Sequence, residues 1–302
     1  MHPGYSFRGF QTLLDSDLYL PQSWARDRAS GGDRGRQAGI PDDLPYRPKT
    51  LIALDQVRQA LGNGLRFDGL VFDQGYGKDP AFLFGLDALG QTWIGEVPSN
   101  FRCWPSLPPY HSLRKEFASK EVYNAARWSP AFIYQDWQPF VLERQTVQPT
   151  TWDVKAALVH LRDPASDRPT DRTYWLIVGW NRQSDEHKYW LSNAPPPTRL
   201  PLLLPAAFRR ADIEHLFRLA KSEVGLGHFE GRHYVGLRRH LILCPCVRLF
   251  LAEQTQRLNV ESATPSTAEP LRRRGGKTPD LRPAHHDAAD RPGLELAVPT
   301  LA

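Results

Sequence analysis

Two acidic residues, Asp73 and Glu214, stand where a carboxylate could do chemistry. Glu214 lies in FRRADIEHLFRLAK, residues 208–221. There Ile213, Leu216, Phe217 and Ala220, followed by Val224, recur at the three-and-four spacing of a buried helix face. Arg210, Glu214 and Lys221 project from nearly one side of that helix, along the border of its apolar stripe. A carboxylate flanked by two cations can hold a divalent metal while the cations grip phosphate. The same residues also make an ordinary helix edge laced with Glu–Arg and Glu–Lys pairs. Asp73 follows the apolar run Leu70, Val71, Phe72 and opens the Gly-rich turn DQGYG. An acid there serves either as a helix cap or turn former or as a ligand. Taken jointly, the two acids suggest a carboxylate site for a divalent metal, because hard Mg²⁺ prefers carboxylate oxygens.

The elements that must position them follow from periodicity. Residues 9–20, GFQTLLDSDLYL, read as a short strand or hairpin arm ended by proline. Residues 21–46 are rich in Gly, Arg, Asp and Pro, which predicts an exposed loop with about one turn of helix. TLIALDQVRQALGNG sets Leu51, Ile52, Leu54, Val57 and Leu61 mainly on one face, with Gly62 and Gly64 closing a helix. A strand at Leu70–Phe72, buried on both faces, then a helix over 79–89 and a strand over 92–98 imply an α/β core with parallel strands. Ligands of such sheets bind just beyond the carboxyl ends of the strands, where Asp73 would sit.

Residues 99–193 differ in character. Helical periodicity fades, prolines recur, and Trp128, Trp137, Trp152, Trp175, Trp180 and Trp190 fall here. RTYWLIVGWN and HKYWLSNA predict two hairpin strands joined at Arg182–Glu186, so this stretch reads as a β-rich insertion. The Glu214 helix follows at about 205–226 and a second apolar helix at about 235–253. From Asn259 the composition turns to Pro, Arg, Ala, Thr, Asp and His, predicting a disordered tail.

The 302 residues suffice for one large domain or two moderate ones, and 41% hydrophobic with 24% charged residues is the balance of a soluble globular protein. No apolar run approaches membrane-spanning length and the N-terminus lacks a secretory pattern. The three cysteines, Cys103, Cys244 and Cys246, argue for a reducing compartment; Cys244 and Cys246 read as core residues. A net charge of +5 permits a polyanionic partner without demanding one.

Five segments in order resemble the DDE-type transposases of bacterial insertion sequences, more narrowly the insertion-sequence-701 group. They are LLDSDLYLPQSW, FDQGYGKDPAF, YWLSNAP, the Arg210–Glu214–Lys221 pattern and EVGLGHFEGRHYVGLRRHLILC. They span about residues 9–255. The resemblance implies an α/β ribonuclease-H-like core over 1–98 and 194–258, interrupted by the β-rich insertion at 99–193 and followed by the tail at 259–302. It implies that Asp73 matches the second catalytic aspartate and Glu214 the catalytic glutamate, both ligands of Mg²⁺ or Mn²⁺. Arg210 and Lys221 match the cations that contact phosphates of double-stranded DNA at transposon ends. In related enzymes the insertion presents a tryptophan to a base displaced from the duplex end, without indicating which tryptophan serves here.

The chain departs from the pattern at Ala207 and Ala211, where aromatics are expected, and at its tail. The first catalytic aspartate, which in the family precedes the LLDSDLYLP segment, has no counterpart, and neither Asp15 nor Asp17 replaces it convincingly. The expectation is therefore an N-terminally truncated, incomplete core that leaves a sheet edge or apolar face uncovered. Metal binding should be weak or absent, because two-metal strand cleavage needs a bridging carboxylate. An inactive fragment is expected, cytoplasmic and nucleoid-associated in a bacterium. The alternative is a non-catalytic DNA-binding remnant, a homo-oligomer or a mixed oligomer, that interferes with a full-length transposase by occupying ends or forming mixed oligomers, drawing phosphate contacts also from Arg232, Arg238 and Arg239.

Overall fold

The computed structural model describes all residues except Arg8, 108–117, 145–146, Arg209, 264–295 and 301–302. It is a mixed α/β fold built on one twisted sheet, consistent with a ribonuclease-H-like core. The chain opens with a hairpin, β1 (His2–Phe7) and β2 (Phe10–Leu13), paired antiparallel from Gly4↔Leu13 to Phe7↔Phe10. The polar stretch that follows holds more helix than its composition predicts: α1 (Gln22–Ala29) and α2 (Arg34–Gln37). Neither helix buries a residue. The Arg28 guanidinium instead ties this segment together by donating to the carbonyls of Pro41, Asp42 and Leu44.

The next elements follow the expected order. Helix α3 (Lys49–Gly62) buries Ile52, Ala53, Gln56 and Val57 and ends before Gly64, whose φ of 84° only glycine adopts without strain. Strand β3 (Gly69–Phe72) is buried along its whole length. The short α4 (Gln74–Gly77) and α5 (Pro80–Ala88) lead into β4 (Trp93–Val97), which pairs parallel with β3 from Leu70↔Trp93 to Phe72↔Gly95. Alternation along β3 sends Leu70 and Phe72 into one core with Tyr76, Phe82, Leu83 and Trp93, and Val71 into a second core on the opposite face.

The stretch expected to be β-rich carries β5 (Arg102–Trp104), β6 (Lys120–Glu121), β7 (Gln138–Arg144), β8 (Val147–Arg162), β9 (Pro169–Asn181) and β10 (Glu186–Ser192). It also holds two short helices, α6 (Val122–Trp128) and α7 (Pro130–Ile133). The hairpin β9–β10 turns where the polar residues predict, with Glu186 opposite Asn181. These strands extend the core sheet, because β10 pairs antiparallel with β4, Ser192 opposite Ile94. The helical stretch after them is two helices rather than one: α8 (Leu200–Phe208), with Pro205 inside it, and α9 (Arg210–Ser222). The last helix, α10 (Tyr234–Ala263), runs ten residues beyond the apolar pattern.

The expected disordered tail, 259–302, falls into three parts. Residues up to Ala263 continue α10, 264–295 lie outside the described residues, and Leu296–Thr300 form β11. This strand enters the interior of the sheet, antiparallel to β1 (Gly4↔Val298) and parallel to β3 (Ala297↔Leu70). The strand order is β2-β1-β11-β3-β4-β10-β9-β8-β5-β6, with β7 on β8. The sheet is therefore continuous where an uncovered edge was expected.

Cys246 corrects a second expectation. Cys244 is buried, but Cys246, two residues along the same helix and about 200° around it, is exposed. No described helix is long and apolar enough to cross a membrane.

Candidate nucleic-acid and carboxylate site

Asp73 is the first residue beyond β3, with extended φ and ψ of −86° and 175°. It caps α4: its Oδ1 accepts from the Gly75 N–H at 2.8 Å. By the alternation of β3, position 73 falls on the side of Val71, the face that α8 and α9 cover. The turn behind it is held rigidly. A Cβ at Gly77 would come within 2.1 Å of the Glu96 carbonyl oxygen, so only glycine lets α4 lie this close to β4. Tyr76 is fully buried beneath the turn and its hydroxyl has no hydrogen-bond partner among the described residues. Burial first, and then the Asp73 carboxylate, push that phenol well above its ordinary range.

Helix α9 packs on this face through Ile213, Leu216, Phe217 and Ala220, the residues its periodicity singles out. Glu214 and Lys221 are exposed; the side chain of Arg210 lies outside the described residues. The helix lies low over β1 because residue 4 is glycine: a Cβ there would sit 2.1 Å from Ile213 Cδ1. One turn on, Phe217 meets the His2 ring edge-on at a centroid distance of 6.1 Å. Gly4 pairs with Val298 and His2 with Thr300, and Ala297 pairs with Leu70. Continued across β11, this register sets Gly4 level with Val71 and His2 level with Asp73. Helix α9 thus runs in the direction of β3, and Phe217 stands at the height of Asp73.

The two other early aspartates are structural. Asp17 pairs with Arg47, which also reaches Asp55 at 3.3 Å, and Asp15 accepts from the Ser16 N–H. Among the described residues no group of three His, Cys, Asp or Glu side chains could hold a metal ion. Asp73 and Glu214 are carboxylates, the hard oxygen donors that Mg²⁺ prefers.

Sequence reasoning missed two features. Asp87, at the end of α5, accepts from Trp93 Nε1 at 3.0 Å, Tyr174 OH at 2.6 Å and Asn193 Nδ2 at 2.6 Å, and stands 3.5 Å from Arg172. It fastens α5, β4, β9 and the end of β10 to one another. The second is a cluster of cations around an open groove beside Gly75. Neither has a local signal, because the partners come from distant parts of the chain. Among the tryptophans of 99–193, Trp152 and Trp190 are core, whereas Trp128 is 62% exposed with the Arg127 guanidinium 5.0 Å from its ring.

A family model described as DDE superfamily endonuclease matches residues 1–157. The matched span runs from β1 into β8 and includes Asp73; α9 and Glu214 lie beyond it. No curated protein matches the chain. With more than half its length matched, and with a mixed α/β sheet that ends β3 in an aspartate, the chain belongs to the DDE superfamily of endonucleases.

Proposed function

We propose that this protein is an insertion-sequence transposase-type chain that holds double-stranded DNA at transposon ends, with Asp73 and Glu214 acting together as carboxylates. What supports this reading is position: by the alternation of β3, residue 73 falls on the Val71 side of the sheet, on which α9 packs. Handedness supports it further. The β3–α5–β4 crossover has α5 on the other face, and such crossovers are right-handed. A right-handed helix parallel to β3, with Ile213, Leu216, Phe217 and Ala220 against the sheet, turns its Glu214 side toward β3. Lys221 shares that side and supplies a phosphate contact, the role that the sequence pattern also gives Arg210.

Asp73 and Glu214 together offer oxygen ligands for one divalent ion, Mg²⁺ or Mn²⁺. A third carboxylate is needed for hydrolysis of a phosphodiester by two metals, so the described residues bind DNA ends without cutting them. Trp128 is the residue we assign to stacking on an unpaired base. The test is Mn²⁺ titration followed by electron paramagnetic resonance. One bound ion is expected, lost in both Asp73→Asn and Glu214→Gln. Retention of the ion in either variant refutes the shared site, and metal-dependent nicking of a terminal-repeat duplex refutes the inactivity.

A specific observation favours the second reading, interference through mixed oligomers. Ile242, Leu243, Val247, Phe250 and Leu258 on α10 are exposed, and apolar surface of this extent marks association sites. Light scattering of the purified protein checks it: a strict monomer at all concentrations argues against this route.

A further inference from the structure

An open groove runs between α3, α5 and β5, on the opposite side of the sheet from α9. Its volume is about 910 Å³, and its floor includes Phe101 and Leu161 of the core that α9 does not touch. The rim carries four cations, Lys49, Lys78, Arg102 and Arg162, against one carboxylate, Asp79. That carboxylate is already engaged: it caps α5, accepting from the Ala81 N–H at 3.0 Å.

The cations are differently committed. Arg102 is fixed in place by donating to Ser119, and Arg162 is partnered by Asp167 at the outer rim. Lys49 lies over the Tyr19 ring at 5.0 Å, and Lys78 is exposed. Neither lysine has an ion-pair partner among the described residues. The first turn of α3 opens into the same groove, with no side-chain cap and no acid in that turn. Its N–H groups add a partial positive charge of their own.

The charge of the whole chain is only +5, so Lys49, Lys78 and Arg102 around one cleft, beside an Arg162 already paired with Asp167, are a local concentration rather than a general excess. The groove is open to solvent rather than an enclosed cavity, so a polyanion can lie across its mouth. Its wall includes Gly75, whose N–H is bonded to Asp73.

We propose that this groove holds the phosphate backbone of duplex DNA, so that one duplex passes Asp73 while gripped on both sides of the sheet. The proposal rests on the DNA-end reading above, with α9 as the other grip. Neutralising one phosphate-binding cation lowers the slope of log K against log salt by about 0.9.

The experiment is fluorescence anisotropy of the full chain with a labelled duplex over a KCl series. The parent is compared with Lys49→Gln/Lys78→Gln, with Lys78→Gln alone, whose exposed site leaves folding untouched, and with Lys221→Gln. The expected result is a slope reduced by about 1.8 in the double variant and by about 0.9 in each single one. A slope lowered only by Lys221→Gln overturns the groove and leaves the α9 reading standing. An unchanged duplex slope, with inorganic phosphate binding that Lys49→Gln/Lys78→Gln abolishes, makes the groove a small-anion site and also overturns the proposal. A parent chain with no salt-dependent duplex binding removes the DNA-end reading itself.

Discussion

Replacing Gly77 by alanine tests whether the turn that carries Asp73 is held by close backbone packing. The added methyl carbon would lie 2.1 Å from the Glu96 carbonyl oxygen, 3.1 Å from its carbon and 3.2 Å from Val97 Cγ1. The nearest of these atoms is backbone in the middle of β4, which is paired on both sides and cannot rotate away. The turn must therefore lift by about 1 Å to restore ordinary van der Waals separation. Overpacking of this kind costs about 1–3 kcal/mol. Urea denaturation should show a lower midpoint with an unchanged slope. Because α4 moves with Asp73, Mn²⁺ binding should weaken in the same variant. Gly75→Ala is the contrasting case: its new methyl meets only the Asp73 carboxylate, at 2.9 Å, and that side chain can turn. It should alter metal binding while costing little stability. Gly77→Ala with parental stability and parental Mn²⁺ affinity would refute the reasoning, since the turn would then be free to move without consequence.

Further outcomes are expected elsewhere. Gly4→Val should destabilise by about 1–3 kcal/mol in urea melts, because Ile213 and Leu216 occupy the space its side chain needs; Gly4→Ala should cost less, since Ile213 Cδ1 is the movable end of its side chain. Asp87→Ala should cost about 3 kcal/mol or more, since the Trp93, Tyr174 and Asn193 donors lose their acceptor together. The pH dependence follows from His2, which burial, and then the neighbouring amino terminus, hold at about 4, below its ordinary 6.5. The unfolded chain takes up a proton between these values that the folded chain refuses. The contribution is therefore intact above pH 6.5, is lost as pH falls toward 4, and amounts to about 3 kcal/mol at most. In His2→Phe, the fall in stability from pH 7 to pH 4 should be smaller than in the parent by up to that amount; an equal fall in both contradicts the assignment.

The elements around Asp73 were legible because their signals are local. Leu70, Val71 and Phe72 make a continuous apolar run, Gly75 and Gly77 mark the turn, and Ile213, Leu216, Phe217 and Ala220 announce the buried stripe of α9. The split of that helical region into α8 and α9 was hidden, because Pro205 lies within α8 and the apolar residues run on through it. Helices α1 and α2 were hidden for the opposite reason: they bury nothing, so no periodicity reveals them. The groove cations come from residues 49 to 162, brought together only by strand order, and Asp87 gathers partners from β4, β9 and the segment after β10. Composition identified the polar character of 264–295 but carried no sign that Leu296–Thr300 pairs inside the sheet, since pairing partners are set by the shape of the rest of the fold.

Strand β11 has a consequence for how the molecule is made. Strands β1 and β3 are synthesised well before the strand that joins them, which begins only at Leu296. Until then both present open edges, the condition under which nascent chains pair wrongly with one another. Closing the sheet must also bring together residues as far apart in sequence as Gly4 and Val298, a non-local pairing that slows this step. Biogenesis, rather than the finished architecture, is where this protein is most vulnerable.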